Sequence, residues 1–162
     1  MSQNADFAQL LKDYAPLLAR VASTYEADPS LREDLIQDMS LAVWRALDSF
    51  RGEASLKTFV ARIAHNRAVD HVLKETRRQD RHHINEPLER FSSPTTVHKH
   101  DSVMDLMAAL RKLDIGYRQV LALQLEGFNQ AEIGSALGLS EVNVAQRARR
   151  ARLQLEQLLN RR

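Results

Sequence analysis

Apolar residues recur at three- and four-residue spacing along most of this chain. Phe7, Leu10, Leu11, Tyr14, Leu17, Leu18 and Val21 fall on one face of a helix drawn through them. After turn chemistry at Asp28 and Pro29, a second run passes through Leu35, Met39, Val43, Leu47 and Phe50, with Ser30 the expected N-cap. "RGEAS" interrupts the pattern, because Gly52 favours a turn and Ser55 is placed to cap a third helix carrying Leu56, Phe59, Val60, Ile63, Ala64, Val72 and Leu73. No period-two alternation is present, so this part of the chain predicts a helical bundle. From Arg78 to about His100 the periodicity stops, and Pro87, Pro94 and a Ser/Thr cluster appear, which predicts a flexible linker. Helical spacing resumes at Val103, Leu106, Met107, Leu110 and Leu113, then at Val120, Leu121, Leu123 and Leu125. The predicted fold class is all-α: two small helical domains, at about 5–78 and 103–162, joined by a flexible linker over 79–102.

Length agrees with that division, since 162 residues accommodate one ordinary domain or two small ones. A composition of 44% hydrophobic and 27% charged residues is that of a folded protein. The formal charge is only +2 but unevenly placed: "REDLIQDM" is acidic, whereas "KETRRQDRHH" and "RARRAR" are basic. Zero cysteines exclude disulfides, thiol catalysis and cysteine-ligated metal sites. The first residues lack a basic region followed by an apolar core, and no segment approaches the roughly 20 apolar residues that span a bilayer. The expectation is a cytoplasmic protein without membrane insertion.

The C-terminal stretch "NQAEIGSALGLSEVNVAQRARRARLQL" has the punctuation of a helix-turn-helix. Gln130 to Leu137 predict a short helix with Ile133, Ala136 and Leu137 inward; Gly138 supplies a left-handed turn residue, Leu139 plugs the corner and Ser140 caps a second helix. In that helix Val144, Ala148, Ala151, Leu155, Leu158 and Leu159 make the packing stripe. Gln146, Arg149 and Arg150 then point away from it, flanked by Asn143 and Arg147. Arginine and amide side chains near the start of such a helix suit base edges and phosphates of duplex DNA.

Two stretches carry a family resemblance. "REDLIQDMSLAVWRALDSFRGEASLKTFVARIAHNRAVDHVLKETRR" resembles region 2 of the sigma-70 family of bacterial RNA polymerase sigma factors, in particular its two-domain extracytoplasmic-function (ECF) subgroup. "LRKLDIGYRQVLALQLEGFNQ" and the helix-turn-helix after it resemble region 4. The resemblance implies a factor that binds core RNA polymerase and directs promoter recognition, DNA melting and transcription initiation. It implies that Asp34, Leu35, Ile36, Gln37 and Asp38 dock on the β′ clamp helices, with the β subunit a further contact. Phe50 and Asn66 would line the pocket for a flipped base of the minus-ten strand, with Gly52, Glu53, Ala54 and Ser55 forming its loop and Arg62 beside it. Arg67, Lys74, Arg77 and Arg78 are further candidates for phosphates. Ser140, Asn143, Ala145, Gln146, Arg147, Arg149 and Arg150 would meet the minus-thirty-five duplex, and an anti-sigma factor is an expected partner. Phe59 stands where the family often has tryptophan, Asn143 where threonine is common, and Ala145 and Gln146 where a basic residue and serine often sit.

His82, His83, His98 and His100 invite a metal site, but no carboxylate lies at a supporting spacing. No P-loop, nucleophile elbow or zinc-protease helix is present. The sequence therefore predicts no metal, no cofactor and no catalysis by this chain. Its main competitor as a reading is a conventional helix-turn-helix regulator whose N-terminal bundle binds a partner or dimerises.

Overall fold

The computed structural model describes residues 3–82 and 101–161. Among these residues there are seven α-helices and no strand: α1 (Gln3–Tyr25), α2 (Pro29–Ala46), α3 (Leu56–His82), α4 (Asp101–Lys112), α5 (Ile115–Leu125), α6 (Gln130–Leu137) and α7 (Glu141–Asn160), with a 3-10 turn at Leu47–Ser49 after α2. Most of the expected linker, with Pro87, Pro94, His83, His98 and His100, lies outside the described residues.

Local chemistry explains the helix ends. Asp28, not Ser30, caps α2: its carboxylate accepts from the Leu31 amide at 2.9 Å. Pro29 occupies the first helical position, where its missing N–H costs nothing, and that moves Ser30 into the first turn. Gly52 has φ +76°, a conformation that favours glycine, and Ser55 then caps α3 by accepting from the Thr58 amide at 3.1 Å. α3 continues past Arg78 to His82. From Thr76 to Arg81 it is exposed and polar, and its arginines and Gln79 are good helix formers that need no buried face and leave no apolar period to detect.

α1, α2 and α3 pack around Leu18, Val21, Leu35, Met39, Val43 and Val60, all at most 2% exposed. That core does not end with the N-terminal half. Val120 and Leu123 of α5, Phe128 of the turn after it, Ile133 and Ala136 of α6, and Val144 and Ala148 of α7 belong to the same buried cluster. A second cluster, Leu110, Leu113, Leu121 and Ala151, joins α4, α5 and α7. Four residues on the predicted stripes are exposed instead: Val103, Leu125 and Leu159 near helix ends, and Leu73 where α3 runs out beyond its buried stretch.

Polar contacts reinforce the seam between the halves. Arg20 donates twice to the Glu126 carboxylate, at 2.6 and 2.8 Å. Lys57 donates to the Glu126 carbonyl at 3.1 Å and stands 4.8 Å over the Phe128 ring. Arg111 reaches the Ser23 carbonyl at 2.8 Å, and the Arg118 guanidinium lies 5.3 Å from the Tyr25 ring. Beneath them Tyr25 and His65 share a buried hydrogen bond of 2.9 Å between the hydroxyl and Nδ1. His65 Nε2 is buried without a partner.

Burial disfavours the imidazolium and lowers the His65 pKa to about 4. An unfolded histidine protonates near 6.5, so this contribution is complete above that pH and is lost as the pH falls toward 4. Between pH 7 and pH 5 it removes about 2 kcal/mol of stability. Urea unfolding at the two pH values should show that loss, and His65→Asn, which removes the titrating ring, should reduce it by the same amount.

Candidate nucleic-acid and polymerase interfaces

The helix-turn-helix is built from short-range contacts. Asn129 and Glu132 form a reciprocal capping box: the Asn129 side chain accepts from the Glu132 amide at 2.8 Å, and the Glu132 carboxylate accepts from the Asn129 amide at 3.0 Å. α6 ends on Gly138 at φ +70°, and the Leu139 amide returns to the Gly134 carbonyl at 2.9 Å. A Cβ at Gly134 would stand 2.5 Å from the Leu139 carbonyl oxygen, so only glycine lets α6 approach the turn this closely. Sequence reading passed over Gly134, because a glycine inside a helix shows no sign of what it faces. Ser140 then caps α7, accepting from the Asn143 amide at 3.2 Å.

α7 buries Val144, Ala148 and Ala151 and exposes Asn143, Gln146, Arg149 and Arg150. The predicted reading face is therefore free on the surface. Ala145 is half-buried. Arg147 is also half-buried and lies along the start of α5, where a Cβ on Gly116 would be 3.1 Å from its Nη1. Ser140 is exposed, with its hydroxyl already used as the cap.

The acidic segment divides by helical phase. Asp34 and Gln37 are exposed on α2, and Ile36 is half-buried. Leu35 is 2% exposed, one turn from Met39 and two from Val43 in the core, so its side chain supports the helix from below and offers no surface to a partner. Asp38 is half-exposed and already paired: Arg67 Nε and Nη2 of α3 donate to its two oxygens at 2.9 and 2.7 Å. Further along the exposed side of α2, Leu41 and Trp44 present large apolar surface, which the sequence pattern did not single out. The Trp44 ring lies 6.4 Å from that of Phe7, and the two share a groove of about 550 Å³ with Leu10, Leu47, Phe50 and Leu56.

Phe50 lines that groove. It is half-buried, with its ring 4.8 Å from the Phe59 ring. Core packing and pocket wall are thus combined in one side chain. Gly52, Glu53 and Ser55 are exposed and Ala54 is half-buried. Arg62 and Asn66, one turn apart on α3, are both exposed and share a face. Beyond them Lys74, Arg77, Arg78 and Arg81 border a shallow basic cleft.

Comparison with known proteins agrees with this arrangement. Residues 10–78 match Sigma-70 region 2 and residues 104–155 match Sigma-70, region 4. The RNA polymerase sigma factor NccH of Alcaligenes xylosoxydans xylosoxydans is 30% identical over 94% of this chain and 86% of its own length. The ECF RNA polymerase sigma factor SigM of Mycobacterium tuberculosis is 28% identical over 94% of this chain and 76% of its own. Among solved structures, the sigma factor RpoE in complex with the anti-sigma factor NepR from Bartonella quintana superposes with a TM-score of 0.74 at 25% identity, covering 96% of this chain and 98% of that one. CnrH in complex with the cytosolic domain of CnrY gives 0.70 at 27% identity, covering 98% and 90%. The chain belongs to the sigma-70 family of RNA polymerase sigma factors, in its ECF subgroup. Its role is accordingly promoter recognition and transcription initiation. Among the described residues no helix is long and apolar enough to cross a membrane, and no group of His, Asp and Glu could hold a metal ion.

Because the methyl group of Gly134→Ala would meet backbone, the substitution should cost on the order of 2 kcal/mol. Urea unfolding measures the loss. Binding to a duplex carrying the cognate minus-thirty-five element should weaken with it, as the turn that aims α7 opens.

Proposed function

We propose that this sigma factor holds the polymerase with α2 and the promoter with two separate faces, α3 for the melted minus-ten strand and α7 for the minus-thirty-five duplex. The observation that carries the reading is the exposure, on one chain, of three chemically distinct faces: Asp34, Gln37 and half-exposed Asp38 on α2, Arg62 and Asn66 on α3, and Asn143, Gln146, Arg149 and Arg150 on α7. An acidic helix face steers toward a basic partner, here the β′ clamp helices, and the β subunit is a second polymerase contact. Phe50 and Asn66, with the loop Gly52 to Ser55, receive an unstacked base. Ser140, Asn143, Gln146, Arg149 and Arg150 face the major groove, and Ala145 and Arg147 flank it with Arg147 braced against α5. An anti-sigma factor is a third partner, supported by two structurally similar sigma factors solved with one (NepR) or with a second protein (CnrY).

Run-off transcription with core polymerase on genomic fragments tests the whole reading: transcripts that start at a common promoter sequence support it, and their absence sinks it. Asp34→Arg should weaken core binding without changing the thermal midpoint. Arg149→Ala with Arg150→Ala should weaken minus-thirty-five binding and flatten its salt dependence by about one unit of slope for each phosphate no longer neutralised. Asn66→Ala should change the minus-ten base preference in the reconstituted reaction.

A further inference from the structure

One ion pair ties two of these faces together. Asp38 belongs to the acidic segment of α2, and its partner Arg67 follows Asn66 directly on α3. Both side chains keep about two fifths of their surface in water, 42% for Asp38 and 39% for Arg67. Such a pair contributes little net stability, because water and salt compete for both charges. Holding α2 on α3 falls instead to the buried side chains of Leu35, Met39, Val43, Val60 and Ala64. The pair is well formed yet dispensable to the fold.

Its position gives it another use. We infer that Asp38 and Arg67 are an exchangeable pair that couples polymerase docking to capture of the minus-ten strand, making Arg67 a strand contact available only after docking. A cationic group on the polymerase that takes the Asp38 carboxylate releases the Arg67 guanidinium to a strand phosphate beside Asn66. Every charge remains paired before and after the exchange: carboxylate with cation, guanidinium first with carboxylate and then with phosphate, whose oxygens accept the same two-pronged donation. Asp70, three residues after Arg67 and exposed, attracts the same guanidinium and offers it a partner on α3 during the transfer. In the free protein Asp38 shields Arg67, which keeps the factor from binding single strands without polymerase.

The inference rests on the docking and minus-ten assignments proposed above, and the test separates it from them. The probe is a fluorescent single strand carrying the non-template minus-ten sequence found by run-off mapping, titrated with the factor alone and with core-bound factor. Asp38→Asn should raise affinity of the free factor for this strand about three-fold or more, since Arg67 is no longer shielded. Loss of a negative charge beside the strand would by itself raise affinity, so the discriminating variant is Asp38→Asn with Arg67→Ala: the exchange predicts that the gain disappears, and a gain that persists overturns it. Asp38→Ala gives the same sign by a second route, and thermal unfolding checks that both variants fold. Arg67→Ala should lower strand affinity of the core-bound factor about three-fold or more, with the salt slope reduced by about 0.7. Unchanged or weaker free-strand binding in both Asp38 variants, or no loss in core-bound Arg67→Ala, overturns the exchange. Asp34→Arg and Asn66→Ala report on the underlying assignments independently, so their failure is distinguishable from that of the coupling.

Discussion

Everything in this molecule depends on burying α3 along two sides. One side takes α1 and α2; another takes α5 and α6. Ala61, Ala64 and Ala68, all at 0% exposure, keep the buried surface of α3 small. Small side chains there leave space for the neighbouring helices, and larger ones would overpack the cluster. What remains of the helix circumference is a narrow strip, and Arg62, Asn66 and Asp70 occupy it. The proposed strand-facing residues of α3, Arg62 and Asn66, are therefore fixed by default: they sit on an arc that the packed helices leave uncovered.

The same burial sets a problem for function. A compact body of this length has a radius of gyration of about 15 Å. Promoter elements centred roughly 25 base pairs apart lie about 85 Å apart along B-form DNA. The proposed two-element grip would therefore require the seam to part, separating the Arg20–Glu126 pair, releasing Lys57 from Phe128 and exposing the apolar side chains shared by the halves. Polymerase surface, or a regulator that favours one arrangement, must offset that exposure. Any ligand that binds the packed form better shifts the population toward it, and no separate off-switch is needed.

Features legible in the sequence were those set within a few residues. Gly138, Ser140 and the phase of Val144, Ala148 and Ala151 follow from local backbone and periodicity, and the helix-turn-helix was read at its observed boundaries. The α2 cap was misplaced by two residues because Pro29 and Ser30 both carry N-terminal signals, and proline's restricted φ decides between them. Leu35 was counted with its acidic neighbours although its place in the Leu35–Met39–Val43 register sends it inward. The seam left no trace at all: Arg20 and Glu126 are 106 positions apart, and a surface arginine in α1 looks the same whether or not a glutamate from the other half meets it. Long-range pairs carry no period, so a single sequence does not reveal them.

The division of labour on α7 has a consequence for promoter specificity. Arg147 braced along α5 has less freedom than its neighbours, and ordering it on DNA costs less side-chain entropy, a property suited to a fixed phosphate anchor. Asn143, Gln146, Arg149 and Arg150 are unrestrained in the free protein and lose rotamer freedom on binding. In the proposed reading that loss would be repaid where base edges supply matched hydrogen bonds, so these four side chains would carry discrimination among promoters, with Arg149 and Arg150 also neutralising phosphates. In the same reading, affinity common to all promoters would come from phosphate contacts and from the helix N-terminus that Ser140 caps.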